Sequence, residues 1–128
     1  MTKVPTQILG IGTDIIEIER IAKSIKEHRN RFLDHLFTEQ EQRYALSFHH
    51  SEITFAGRFA AKEAISKAFG TGIGEVIQWK DMEVLNAPSG KPYVILAPHL
   101  LSHFGNPKVE ISISHSKSHA IAFAIVTI

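Results

Sequence analysis

The positions of apolar and polar side chains predict three helices in the first half of the chain. Over residues 17–31, apolar side chains return at every third or fourth position, which is typical of one face of a helix. A second helix is predicted over residues 39–48, because Thr38 and Glu41 form a capping-box pattern in front of it. The third and longest helix is predicted over residues 51–70, with its serine as the N-cap and its last glycine in a left-handed conformation.

Strands dominate the second half of the chain. The run over residues 109–114 alternates between apolar and polar positions, as in a half-buried strand. Strands are predicted over residues 8–13, 81–86, 92–96, 109–114 and 119–128, with a short helix over residues 97–104. This order predicts a single α+β domain over residues 1–128, with a mainly antiparallel sheet packed with one long buried helix and shorter helices.

The long helix over residues 51–70 is apolar on two sides. Large apolar side chains gather on one side and alanines on the other, which is the pattern of a buried helix. The alanine side should let a second element approach closely. Together with the apolar final strand, it exceeds what one small sheet should need to cover, which favours self-association.

Four charged side chains interrupt this apolar helix: Arg58, Lys62, Glu63 and Lys67. Charged residues are seldom fully buried unless they are paired or bound to a ligand. Glu63 and Lys67 have the spacing of a routine helical ion pair, worth about 0.2–0.5 kcal/mol. Because such a pair gives Arg58 and Lys62 no role, the pattern alone leaves an ion pair and a functional site as equal alternatives.

Asp14 and His115 are two further candidates, each with an ordinary alternative. Asp14 follows a predicted strand and has apolar neighbours, so it is either the N-cap of the first helix or a ligand. Two carboxylates and phosphate oxygens suit Mg²⁺, so Asp14 and Glu63 form a metal site if the fold brings them together. His115 begins the turn between the last two strands, where it is either an exposed turn residue or part of a binding site.

Composition narrows the possible classes of protein. A net charge of +1 argues against a general nucleic-acid binder. No stretch approaches the roughly 20 apolar residues of a membrane helix, and the charged first twenty residues show no signal-peptide pattern. The absence of cysteine excludes disulfides and thiolate sites, and it fits a reducing compartment, so we expect a cytoplasmic location. The glycine runs over residues 10–12 and 70–74 fit neither a dinucleotide fingerprint nor a P-loop.

Four stretches, taken in order, carry a resemblance to a known family. They are GIGTDIIEIERI at residues 10–21, FAGRFAAKEAISKAFGTGIG at residues 55–74, SGKPY at residues 89–93 and ISISHS at residues 111–116. Together they resemble the holo-[acyl-carrier-protein] synthase family, the small trimeric group of 4′-phosphopantetheinyl transferases. The second stretch, with its Gly-Arg-x-Ala-x-Lys-Glu core, is the most specific.

The resemblance implies an activity and a metal. Members of the family transfer the 4′-phosphopantetheine group of coenzyme A to a serine of apo acyl carrier protein, giving the holo carrier and 3′,5′-ADP in fatty acid biosynthesis. On this basis Asp14 and Glu63 are expected to bind Mg²⁺ with the coenzyme A pyrophosphate, and Lys67 to act with them as a catalytic residue. Either a metal-activated water or a carboxylate acting through water could remove the serine proton.

The resemblance also implies the remaining contacts and the assembly. Arg58, Lys62 and Lys67 are expected near the phosphates of coenzyme A. Lys91 and His115 are expected at the adenosine 3′-phosphate. The family forms trimers with active sites at subunit interfaces, so a homotrimer is expected here.

The first predicted helix offers a surface for the carrier protein. Residues 20–31 contain five cations and one acid, a local charge of +4 on a chain whose total is +1. Acyl carrier proteins are acidic, so docking is expected through Arg20, Lys23 and their neighbours. The alternative is an ordinary solvated basic face.

Two other functions compete with carrier modification. A non-catalytic coenzyme A or nucleotide-binding module would use Arg58, Lys62 and Lys91 but would need no acidic pair. A small trimeric Mg²⁺-dependent phosphohydrolase would release pantetheine phosphate to water without a carrier protein.

Overall fold

Five strands and four α-helices make up the described part of the chain. The computed structural model describes residues 7–128, so the first six residues of the predicted domain lie outside it. In order, the elements are β1 (Ile8–Glu17), α1 (Ile18–Leu36), α2 (Glu39–Leu46), α3 (Ser51–Ala68), a 3₁₀ turn (Trp79–Asp81), β2 (Met82–Asn86), β3 (Pro92–Leu96), α4 (Pro98–His103), β4 (Lys108–His115) and β5 (His119–Thr127).

The strands form two antiparallel sheets. β5 lies between β1 and β4 in a three-stranded sheet, and β2 pairs with β3 in a hairpin. The register places Asp14 of β1 opposite Ala122 of β5. The α+β class and the antiparallel pairing predicted from the sequence are confirmed.

Helix α3 packs on the inner face of the three-stranded sheet at unusually short range. A Cβ atom added to Gly10 or Gly12 of β1 would lie 1.8 or 1.9 Å from the carbonyl oxygen of Ala68 or Ala64 of α3. Only glycine allows this approach of strand to helix. The alanine side of α3 is therefore covered by the sheet of its own chain, and the argument for self-association from that side is wrong.

The opposite face of the same sheet is apolar and exposed. The exposed fractions are 56% for Ile11, 63% for Ile15, 43% for Ile121 and 43% for Phe123. The register of β1 with β5 places Ile15 opposite Ile121, so these side chains form one continuous patch. This outer sheet face is the apolar surface available for association with another chain.

The main differences from the predicted helix ends are at the end of α1 and the start of α3. α1 runs to Leu36 instead of ending near residue 31, with non-helical backbone angles at His28 (φ −134°, ψ 27°). The N-cap of α3 is His50 and makes no side-chain hydrogen bond, so the predicted cap at Ser51 is wrong. The capping box of Thr38 and Glu41 is confirmed, as is the positive φ of the glycine that follows α3. Within residues 7–128, no helix is both long enough and apolar enough to cross a membrane.

Candidate active site

The contact between β1 and α3 brings together Asp14, Glu63 and Lys67. Asp14 lies on the inner side of β1, and its side chain is 16% exposed. Lys67 Nζ donates to Oδ1 of Asp14 at 3.1 Å and to the carbonyl oxygen of Thr13 at 3.1 Å. β1 continues past Asp14, and the cap of α1 is Glu17, so the N-cap interpretation of Asp14 is wrong.

Glu63 is a half-buried carboxylate close to the charge of Asp14. Burial raises the pKa of Glu63, the negative charge of Asp14 raises it further, and Lys67 opposes both effects. The ion pair formed by Lys67 is with Asp14 of β1, not with Glu63 on its own helix. Lys67 therefore lies near two carboxylates. The ion pair between Glu63 and Lys67 that their spacing suggested is not formed.

These two carboxylates fit a magnesium ion that takes its other ligands elsewhere. Among residues 7–128, no group of three or more His, Cys, Asp or Glu side chains is arranged to hold a metal. Mg²⁺ usually binds through one or two carboxylates and completes its shell with water and substrate phosphates. Burial and then the charge of Asp14 raise the pKa of Glu63, and a cation between the two carboxylates would oppose both effects.

Arg58 reaches a second region, a cavity of about 370 Å³ between α3, the β2–β3 hairpin and the end of β4. The guanidinium lies 4.6 Å above the ring of Tyr44, and its Nη2 donates to Oδ1 of Asn86. Arg58 is 4% exposed, and its Nε has no hydrogen-bond partner. Because a guanidinium group pairs well with carboxylate and phosphate, the cavity that Arg58 lines with His115 suits an anion.

Lys91, one of the predicted coenzyme A contacts, lines a groove next to the cavity of Arg58. Lys91 is exposed, its Nζ lies 3.6 Å from Oε2 of Glu110, and it lines the neighbouring groove between β3 and β4. In this arrangement Gly90, not Lys91, borders the cavity of Arg58. An ion pair between two exposed side chains is weak, so the predicted contact of Lys91 with a phosphate stays a prediction.

Lys62 is fully buried and has no free donor. Its Nζ donates to Oε1 of Glu41 at 2.7 Å, to the carbonyl oxygen of Leu36 at 2.7 Å and to that of Trp79 at 3.1 Å. An ammonium group has three N–H bonds, and all three are used. Burial lowers the pKa of Lys62, and the adjacent Glu41 carboxylate opposes that effect. The prediction that Lys62 contacts a phosphate is corrected, because its side chain points into the interior.

The basic side chains of α1 are exposed, as predicted. Arg20 and Lys23 lie before the bend at His28, on the surface of the helix. Beyond the bend, a mainly apolar cavity of about 500 Å³ opens between α1, α3 and the 3₁₀ turn, with Arg31 at its edge. Phe59 of α3 and Trp79 stack in its wall with ring centroids 5.0 Å apart.

Sequence reasoning missed the partners of the buried cations. Glu41 was predicted only as a capping residue, yet it is also the partner of Lys62. Tyr44 and Asn86 hold Arg58, and neither carries a motif or a periodic position that marks it. A signal existed for Glu41, because a buried lysine requires a carboxylate, but the sequence does not say which one.

Comparison with known proteins identifies the family. Residues 10–124 match the profile of the 4′-phosphopantetheinyl transferase superfamily. The chain belongs to that superfamily. Holo-[acyl-carrier-protein] synthases of Protochlamydia amoebophila and Chlamydia pneumoniae are 53% and 52% identical to this chain over 117 and 119 residues. The alignments cover 91% and 93% of this chain and 96% and 97% of those relatives.

Solved structures of the superfamily have the same fold. A holo-(acyl-carrier-protein) synthase from Bacillus anthracis, in complex with CoA (3′,5′-ADP), gives a TM-score of 0.82 at 40% identity and covers 95% of this chain and 98% of its own. The Helicobacter pylori holo-[acyl-carrier-protein] synthase, in complex with coenzyme A, gives 0.84 at 33% identity, with coverage of 91% and 98%. The family resemblance inferred from the four sequence stretches is confirmed.

Proposed function

We propose that this chain transfers the 4′-phosphopantetheine group of coenzyme A to a serine of apo acyl carrier protein, as a step in fatty acid biosynthesis in the cytoplasm. One observation carries the proposal beyond family membership. The fold brings Asp14 of β1 and Glu63 of α3 together beside Lys67, and Asp14 and Lys67 are 53 residues apart in sequence. A binding module for coenzyme A needs no such pair of carboxylates.

Each residue of the cluster has a role in the proposed reaction. Asp14 and Glu63 would hold Mg²⁺, which supplies charge neutralisation at the pyrophosphate when it is bound. The serine oxygen forms a bond to the β-phosphorus, the bond to the α-phosphate oxygen breaks, 3′,5′-ADP leaves and the serine proton is released to solvent. Lys67 lies beside Asp14 with half of its side chain exposed, so it can donate to the oxygens that gain charge.

Arg58 and His115 would hold the adenosine end of coenzyme A. Arg58 and the exposed ring of His115 line one cavity. A phosphate monoester there would receive charge-assisted hydrogen bonds, each worth about 1.5–3 kcal/mol. Lys91 lines the neighbouring groove instead of this cavity, so the contact is assigned here to Arg58 and His115.

Within one chain, the cluster of Asp14, Glu63 and Lys67 is separate from the cavity of Arg58. This separation favours a homotrimer with active sites between subunits. The cavity of Arg58 is lined by neither Asp14 nor Glu63 of the same chain. The outer face of the sheet is apolar and exposed, and covering it with a neighbour would bury Ile11, Ile15 and Phe123. A neighbour seated there can bring its own Arg58 and His115 toward the carboxylates of the first chain.

The acidic carrier would dock on α1, through Arg20 and Lys23. Both side chains are exposed on the helix that follows β1, so the docking surface is continuous with the strand that carries Asp14. Complementary charge of this kind steers association and sets orientation.

The proposal is tested by the dependence of 3′,5′-ADP release on the carrier. The enzyme is incubated with coenzyme A and Mg²⁺, with and without apo acyl carrier protein. Release that requires the carrier supports the transferase. Release at the same rate without a carrier would identify a phosphohydrolase, and coenzyme A binding without any release would identify a binding module.

A further inference from the structure

The buried ion pair of Lys62 with Glu41 has no part in the chemistry proposed above. We infer that Lys62 is a positioning residue: its three hydrogen bonds fix the rotation of α3 and so the direction in which Glu63 and Lys67 project toward Asp14. This inference deepens the proposed function and rests on it for the role of Glu63.

Lys62 joins α3 to two elements that end beside it. Its Nζ donates to the carbonyl oxygen of Leu36, the last residue of α1, and to the carbonyl oxygen of Trp79, the first residue of the 3₁₀ turn. Both acceptors are backbone atoms. The bonds therefore hold α3 against fixed points of the chain rather than against mobile side chains.

Glu41 extends the same network to two more elements. Its Oε1 accepts from Lys62 Nζ and from the backbone N–H of Thr38 at 2.8 Å, and its Oε2 accepts from the N–H of Val84 at 2.8 Å. The start of α2 and the strand β2 are thereby tied to the same side of α3. Lys62 and Glu41 are both 0% exposed, and each is fully paired.

A buried ion pair does not stabilise a protein interior more than apolar side chains do. Replacing such a pair with apolar side chains of similar size is often neutral or stabilising, because both charges lose their hydration. Hydrogen bonds differ from apolar contacts in having direction, so the network restricts orientation where packed side chains alone would tolerate small rotations. We therefore assign Lys62 to orientation rather than to stability.

The contacts on the opposite side of α3 set its distance from the sheet but leave its rotation about its own axis free. Gly10 and Gly12 fix how closely β1 approaches the helix, at Ala68 and Ala64. A rotation of about 20° about the helix axis would still move a carboxylate of α3 by about 2 Å. A misplacement of about 1 Å can reduce a rate about 100-fold.

Lys62 projects from α3 between the two functional directions of that helix. Successive residues of a helix are about 100° apart, so Arg58 lies about 40° to one side of Lys62 and Glu63 about 100° to the other. One anchor between them therefore sets both the direction of Arg58 into its cavity and that of Glu63 toward Asp14.

The double variant Lys62→Met with Glu41→Gln tests this inference. The single change at Lys62 would leave an unpaired buried carboxylate and risks unfolding, whereas the double change removes both charges. Leu100→Ala is the control, because Leu100 is fully buried in α4 and its truncation destabilises the fold without touching the network. Each protein is assayed below its own thermal midpoint, and rates are expressed per folded molecule.

We expect kcat of the double variant to fall about 100-fold while the KM for the carrier stays within about twofold. Leu100→Ala should keep the wild-type kcat. A crystal structure of the double variant should show α3 rotated and the bond between Lys67 and Asp14 broken. If the double variant does not fold, Lys62→Gln with Glu41→Gln, which also removes both charges but keeps hydrogen-bonding side chains, should lower kcat about 10-fold with the same unchanged KM.

Two results would overturn the inference. One is a kcat for the double variant equal to that of Leu100→Ala. The other is a crystal structure in which Glu63 and Lys67 keep their wild-type positions relative to Asp14. If the wild-type protein itself transfers nothing, the proposed function fails, and the comparison of crystal structures alone decides whether Lys62 positions α3.

Discussion

Lys67 Nζ lies 3.1 Å from Oδ1 of Asp14, and this bond joins the strand β1 to the helix α3 across 53 residues of sequence. The same lysine opposes the upward shift in the pKa of Glu63 that burial and the charge of Asp14 produce. Two carboxylates with one partly exposed lysine carry more negative charge than the protein neutralises locally. A divalent cation with phosphate ligands would supply the missing positive charge.

Removing either carboxylate should abolish transfer and leave the fold intact. We expect Asp14→Ala and Glu63→Ala each to lower kcat by at least about 100-fold, since loss of a direct ligand should exceed the effect of losing an outer-shell partner. The control is Glu75→Gln, which removes an exposed carboxylate from the loop after α3. Near-normal turnover of either alanine variant at saturating Mg²⁺ would contradict the metal assignment.

The raised pKa of Glu63 predicts how the stability of the metal-free protein depends on pH. Between the ordinary and the raised pKa, the folded state holds a proton that the unfolded state has lost, so stability falls as pH rises through that window. Glu63→Gln removes the titrating carboxyl group and therefore removes this loss of stability at higher pH. We expect the variant to melt above the wild type at pH 7.5, and the difference to vanish below the ordinary pKa of glutamate.

The measurement is calorimetric melting in the presence of a chelator, with Glu75→Gln as the control. A melting difference between Glu63→Gln and wild type that does not change with pH would rule out the linkage. Addition of Mg²⁺ together with coenzyme A should raise the melting temperature of the wild type and have little effect on the Glu63→Gln variant.

An active site shared between subunits predicts complementation. Asp14→Ala lacks the proposed metal ligand, and His115→Ala lacks the proposed contact in the cavity of Arg58. In mixed trimers formed at equal amounts, about one quarter of the sites would combine an intact Asp14 with an intact His115 from the neighbour. We expect activity near that fraction of wild type after the two variants are denatured and refolded together, assayed at low coenzyme A.

Refolding each variant separately and then mixing gives the control, which should show only the residual activity of His115→Ala. Light scattering of the wild type should give the mass of a trimer at micromolar concentration. An active monomer, or the absence of complementation in verified mixed trimers, would place the whole site within one chain.

Docking of the carrier on α1 predicts a change in KM with little change in kcat. We expect Arg20→Glu and Lys23→Glu to raise the carrier KM about tenfold or more, because a docking contact binds ground state and transition state alike. The effect should weaken with salt, since charge steering is screened beyond about 8 Å at physiological ionic strength. Lys108→Glu, an exposed cation on β4, is the charge-matched control. Unchanged carrier KM values in both α1 variants would leave α1 as a solvated face.

The close contact of β1 with α3 predicts a sharp difference between two glycines. A Cβ at position 12 would lie 1.9 Å from the carbonyl oxygen of Ala64, whereas a Cβ at Gly74 would meet no atom within 4 Å. We expect Gly12→Ala to destabilise the protein by about 3 kcal/mol and lower its melting temperature by about 10 °C. Gly74→Ala should melt within about 2 °C of wild type. Equal melting of the two variants would refute the close contact.

The sequence predicted the elements well because their signals are local. The capping box of Thr38 and Glu41 and the apolar stripes on the helices depend on neighbours within a few residues. The four family stretches located Asp14 and Glu63 as candidates, and the structure places Asp14 within reach of Lys67. Their meeting could not be derived from periodicity, because it depends on the packing of β1 against α3.

The cations of α3 show where local pattern fails. Arg58, Lys62 and Lys67 lie within ten positions of one another and were all predicted as phosphate contacts. In the fold, Lys62 is turned into the interior by Glu41, a residue 21 positions away. A charged side chain in an apolar helix indicates that a partner is needed. Whether the partner is a ligand or another residue depends on long-range packing.

The most direct test of the proposed transferase function is the intact mass of apo acyl carrier protein after incubation with this protein, coenzyme A and Mg²⁺. We predict that the carrier gains the mass of one phosphopantetheine, that the gain maps to a single serine, and that chelation of Mg²⁺ prevents it. A carrier of unchanged mass, with coenzyme A intact or hydrolysed, would contradict the proposed function.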